Sequence, residues 1–107
     1  MATTITTGAP VVTLINVFTV EPEKQRELVS VLEEVTEQVM LRVPGFVSAS
    51  IHAGLDGTSV VNYAQWRSRE DFAAMLADPA AREHLAQASA LAHAEPRLYS
   101  VVSTYER

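Results

Sequence analysis

The chain contains no cysteine. Disulfides, thiolate nucleophiles, cysteine-built zinc sites and iron–sulfur clusters are thereby excluded, and the composition suits a reducing cytoplasm. Cations are scarce: 8 Lys and Arg stand against 13 Asp and Glu, for a net charge of −5. A protein that neutralises phosphates carries a basic face, so nucleic acid is not an expected partner, and neither is an anionic membrane surface. No apolar run approaches the roughly 20 residues that span a bilayer. The opening Met-Ala-Thr-Thr-Ile-Thr-Thr-Gly has no basic or apolar region of a secretory signal; residues 1–9 read as a flexible arm and 10–107 as one domain. The four glycines sit at turns or in strands, and no phosphate-cradling GxGxxG, no HExxH and no GxSxG pattern occurs. His52, His84 and His93 lack metal-ligand spacing, so no metal site is expected.

What is present is a regular alternation of elements. Residues 11–20 are rich in Val, Ile, Thr and Phe and read as a strand. Pro22 opens a helix over 23–43, with Leu28, Val31, Leu32, Val35 and Val39 at helical spacing, and Pro44-Gly45 ends it. Residues 46–55 and 58–66 flank Asp56-Gly57, a hairpin signal because a two-residue turn of this kind needs positive φ. A two-residue loop sets Ile51 opposite Asn62; a three-residue loop sets His52 there instead. The former puts Val47, Ala49, Ile51, Ala53 and Leu55 on one face with Val60, Asn62, Ala64 and Trp66. Ser68 followed by Asp71 resembles a capping box. Asp78-Pro79 starts a further helical segment that runs to about residue 92, and 97–105 form a last strand. The order strand, helix, strand, strand, helix, strand predicts an α+β, ferredoxin-like βαββαβ fold with a four-stranded antiparallel sheet covered by helices on one face. The other face, with Val11, Ile15, Val17, Val61, Tyr63, Tyr99 and Val101, leaves an apolar patch that a second copy would cover.

Two residues are unusual for their places. Asn62 interrupts an apolar strand in which Asn is disfavoured, and Trp66 follows it on the same face. Either Asn62 is tied to a backbone group and Trp66 fills the core, or both line an internal cavity, where an amide and an indole N–H could hold a ligand. Histidine as a residue type suits proton abstraction from an acidic phenol, which makes His52 a candidate, although a lone strand His is more often structural or at the surface. Arg82 reads as a surface residue.

The stretch from His52 through Asp56-Gly57 to Val61-Asn62-Tyr63-Ala64-Gln65-Trp66, with Val43-Pro44-Gly45-Phe46 before it and Asp78-Pro79 after it, resembles the antibiotic-biosynthesis monooxygenases. The likeness covers about residues 10–105. It is closest to the small anthrone-type, quinone-forming members, of the kind that serve actinorhodin biosynthesis. The resemblance implies a homodimer in which two sheets pack into an α+β barrel. It also implies cofactor-independent oxidation of an aromatic polyketide phenol or anthrone to a quinone, with O2 as co-substrate. Asn62 and Trp66 fall on catalytic positions of the family. His52, Phe72 and Arg82 fall at or near substrate-binding ones. Phe72 stands where the family's nearest members have Tyr; Leu85 takes the place of a helix Arg, with Arg82 one turn earlier. Haem-degrading relatives pair a strand Asn, here matched by Asn16, with a Trp such as Trp66. They also need a His between Phe72 and Leu76, which this chain lacks. Two alternatives predict different outcomes: a non-catalytic barrel that binds a metabolite or assists polyketide cyclisation, and a purely structural dimer with no cavity beside Asn62 and Trp66.

Overall fold

Residues 3–107 are described by a computed structural model. In chain order they form β1 (Val12–Val20), α1 (Gln25–Gln38), β2 (Phe46–Ala53), β3 (Ser59–Trp66), α2 (Arg69–Leu76), α3 (Pro79–Leu91) and β4 (Ala92–Tyr99), with single 3-10 turns at Pro22–Lys24 and Met40–Arg42. The strands make one antiparallel sheet in the order β2-β3-β1-β4. This is the ferredoxin-like α+β arrangement that the element order predicts.

Period-two alternation decides which side chains face the helices. From β1 these are Leu14, Asn16, Phe18 and Val20; from β3, Val60, Asn62, Ala64 and Trp66. Leu28, Leu32 and Val35 of α1 are buried at helical spacing above them. Ala81 and Ala88 are the buried residues of α3, and their size lets that helix sit close to the rest of the core. Both later helices start as expected. The Ser68 hydroxyl accepts the Asp71 N–H at 3.0 Å, and the Asp78 carboxylate accepts the N–H groups of Ala80 and Ala81.

Four sequence expectations are corrected. The first helix stops at Gln38 rather than running to 43. Val39 leaves the helical region, and Val43 is extended (ψ 130°), as a residue before proline prefers. The hairpin keeps the Ile51–Asn62 register but closes with a wider loop. The Gly54 N–H donates to the Ser59 carbonyl (2.8 Å) and the Gly57 N–H to the Gly54 carbonyl (3.0 Å). Within this loop Gly57 alone takes positive φ; the Asp56 carboxylate accepts the Thr58 N–H (2.9 Å), and the Gln25 amide donates to the carbonyls of Gly54 and Ser59. A bulge between Phe46 and Ser48 turns Val47 outward (49% exposed), and Leu55 is fully exposed at the loop tip. Ala53 is also exposed. Finally, β4 begins at Ala92 and runs through Pro96 to Tyr99. An edge strand pairs on one side only, so a proline there is tolerated.

On the outer face Val17 and Tyr99 are 40% and 44% exposed. Part of this face is covered by the N-terminal segment. Thr3 Oγ1 lies 3.3 Å from Ser50 Oγ, and the Thr4 carbonyl accepts a 2.7 Å hydrogen bond from Gln65. Met1 and Ala2 of the expected arm lie outside the described residues. Among the described residues no helix is long and apolar enough to cross a membrane.

Candidate active site

The register sets Ile51, Asn62, Asn16 and Pro96 in one row across the sheet. This row divides the core. On one side Leu14, Ala64 and Trp66 pack with Val35, Met40 and Met75; on the other, Phe18 and Val60 pack with Leu28, Leu32 and Ala88. Between the row and the roof formed by α1, α2 and α3 lies a cavity of about 250 Å³. A purely structural dimer predicted no such space.

The cavity wall is apolar with a few polar atoms. Asn16 Oδ1, Asn62 Oδ1 and Trp66 Nε1 are buried and have no hydrogen-bond partner among the described residues. A buried polar group normally finds one, and its lack marks either strain or a ligand site. Asn62 is therefore not a structural amide satisfied by the backbone at its oxygen. The Thr36 hydroxyl also borders the space, but its proton is committed to the Leu32 carbonyl at 2.8 Å. Among the described residues no His, Asp, Glu or Cys lines the cavity, and Arg97 is the one ionisable residue among its walls. Among the described residues no three such side chains cluster as a metal site would require.

Trp66 is 1% exposed and wedged between two rings. Phe46 meets it edge-on at 5.5 Å and 83°, and Phe72 at 5.8 Å and 71°. Both are favoured T-shaped contacts.

The sequence profile of the antibiotic biosynthesis monooxygenases matches residues 11–87. The chain is 46% identical over 102 residues to the tetracenomycin-F1 monooxygenase of Streptomyces glaucescens, spanning 95% of this chain and 91% of that one. The chain belongs to the antibiotic biosynthesis monooxygenase family. It is an enzyme, a monooxygenase. Among solved structures it is similar to SnoaB of Streptomyces nogalater, described as a cofactor-independent oxygenase. That match has 32% identity and a TM-score of 0.78, over 91% of this chain and 98% of that one. It is also similar to the ActVA-Orf6 monooxygenase of Streptomyces coelicolor, solved with nanaomycin D. Here identity is 30% and the TM-score 0.80, over 90% and 91% of the two chains.

Of the residues singled out from sequence, the structure brings Asn62, Trp66 and Phe72 together around the cavity. His52 and Arg82 do not line it. His52 pairs with Val61, which sets it on the opposite face of the sheet from Asn62. It is exposed there, with Nδ1 3.2 Å from the Ser50 carbonyl. Arg82 is exposed on the first turn of α3, while Leu85, one turn on, reaches the wall. Asn16, which the sequence matches only to a haem-degrading pattern, also lines the cavity. It carries the same signal as Asn62, an amide between inward-facing Leu14 and Phe18.

Proposed function

We propose that this monooxygenase oxidises an aromatic polyketide phenol or anthrone to a quinone with O2, using no metal, flavin or other prosthetic group. The observation that carries the reading is the cavity itself: apolar walls suited to a flat aromatic, and three unpartnered polar atoms on one side of it. The names of the similar proteins support it, two being monooxygenases and one a cofactor-independent oxygenase.

In this reading the substrate supplies the electrons. An anthrone CH2 becomes C=O; one oxygen atom of O2 enters the carbonyl and the other leaves as water, so no external reductant is needed. The ionised phenol or enol is the electron-rich species that meets O2. An amide can turn either its oxygen or its NH2 inward. Asn62 and Asn16 are therefore suited to hydrogen-bond the developing oxyanion and the peroxide, and the Trp66 indole N–H adds a donor. Phe72 supplies an apolar wall and no phenol proton. No lining side chain is a base at neutral pH, since a guanidinium stays charged. The acidity of the substrate itself, with water as acceptor, then governs deprotonation. His52 and Arg82 have no contact with the cavity of their own subunit that would give them a part in this step.

The same reading includes a homodimer, with the outer faces of two sheets packed together, and a small aromatic substrate as the only other partner. The reaction is tested with an anthrone under 18O2. One labelled atom should appear in the quinone and one in water. Label-free quinone, or quinone formed only after a flavin or metal is added, would overturn it.

A further inference from the structure

Trp66 Nε1 makes no hydrogen bond, so no polar tether inside the cavity fixes the angle of the indole. That angle is set by Phe46 and Phe72, and by whatever holds the backbone behind the three rings. Each ring has a chain neighbour in one tight cluster: Gly45 precedes Phe46, Arg67 follows Trp66, and Asp71 precedes Phe72. The Arg67 N–H donates to the Gly45 carbonyl at 2.7 Å. Its guanidinium donates to both oxygens of Asp71, from Nε at 2.8 Å and Nη2 at 3.0 Å. The Ser68 hydroxyl donates to the same carboxylate at 2.9 Å. Gly45 holds φ +86°, and a Cβ there would collide with the Asp71 carboxylate. The carboxylate therefore rests directly on the glycine backbone.

We infer that Asp71 is a positioning residue: by tying β3, α2 and the turn before β2 together behind the aromatic corner, it sets the direction in which Trp66 presents its indole N–H to the cavity. Its catalytic consequence rests on the reading that Trp66 meets the substrate. A two-pronged Arg–carboxylate contact fixes geometry as well as distance, and a glycine contact this close leaves the carboxylate one seat. Small displacements of a positioned donor are costly in rate, on the order of a hundred-fold for 1 Å.

Trp66 is the sole tryptophan, so its indole 1H–15N resonance and the near-ultraviolet circular dichroism report on this ring alone among tryptophans. Asp71→Ala should move or broaden that resonance and lower kcat about ten-fold or more, with KM changed far less. Asp71→Asn, which keeps the shape, should recover part of both. Asp78→Ala, the same loss of a helix cap on α3 away from the rings, should leave the resonance in place. Should Asp71→Ala fail to fold, Arg67→Lys removes the fork from an exposed side chain while keeping its charge, and should move the resonance likewise. An unmoved indole in the Asp71 and Arg67 variants, or an equal shift in Asp78→Ala, would overturn the inference. Because the resonance is read without substrate, absence of anthrone turnover in the wild type would count against quinone formation and not against the clamp.

Discussion

On the proposed reading, Asn62 and Asn16 carry their cost in the fold and their use in the cavity. A buried acceptor without a partner costs about 1–3 kcal/mol, and an apolar side chain of similar size does not incur it. Asn62→Leu is therefore expected to raise stability by about 1 kcal/mol, a few degrees in melting temperature. The same change should lower quinone formation by about a hundred-fold or more. Calorimetry and turnover on one sample check both halves, and a variant both less stable and equally active would contradict the assignment. Trp66→Phe keeps a ring between Phe46 and Phe72 but removes the N–H; it should reduce kcat while leaving the fold intact by circular dichroism. His52→Ala should leave the pH–rate profile unchanged, because the profile follows ionisation of the substrate. Asn62 and Trp66 were legible in the sequence because an amide and an indole four residues apart share a face in any strand; Phe72, on a helix, was named as a site position only through the family resemblance. His52 was not, because its face depends on a hairpin register that a one-residue change reverses. Asn16 was equally legible from the same alternation, and Arg82 depended on a helical phase that its spacing alone did not fix.

At the scale of elements, the helix starts were written in plain chemistry and the strand ends were not. Ser68 and Asp78 cap α2 and α3 as their positions suggested. Ser68→Ala should cost about 1 kcal/mol in a denaturant melt. The bulge at Val47, the four-residue turn after Gly54 and the start of β4 ahead of Pro96 all depend on neighbours distant in sequence. Gln25 of α1 reaches the hairpin, and β1 provides the one partner that an edge β4 needs. The Asp71 corner also has an acid signature. Hydrogen bonds from Arg67, then from Ser68, hold its carboxyl below the ordinary range. A carboxylate with a lowered folded-state pKa stabilises the fold above its unfolded pKa, about 4, and loses that contribution as the pH falls through the folded value. The melting temperatures of wild type and Asp71→Asn should differ by a constant amount above about pH 5 and converge as the pH falls through the lowered folded-state value.

For the whole molecule, the layer arrangement explains why one side of the sheet is finished and the other is not. Helices bury Leu14, Phe18 and Val60, whereas Val17 and Tyr99 on the outer face keep a large part of their surface in water. A second copy packed there would give a particle of twice 11.7 kDa. Light scattering should find that mass, and Val17→Glu should shift it toward the single chain. On the proposed reading, the chemistry needs little of the protein beyond a dry, shaped space. The most direct test is the initial rate of quinone formation from an anthrone in air, with chelator-treated enzyme and no added cofactor. The wild-type rate should lie well above the spontaneous one and fall toward it in Asn62→Ala and in Trp66→Phe. A wild-type rate equal to the spontaneous rate, or variants as fast as the wild type, would contradict it.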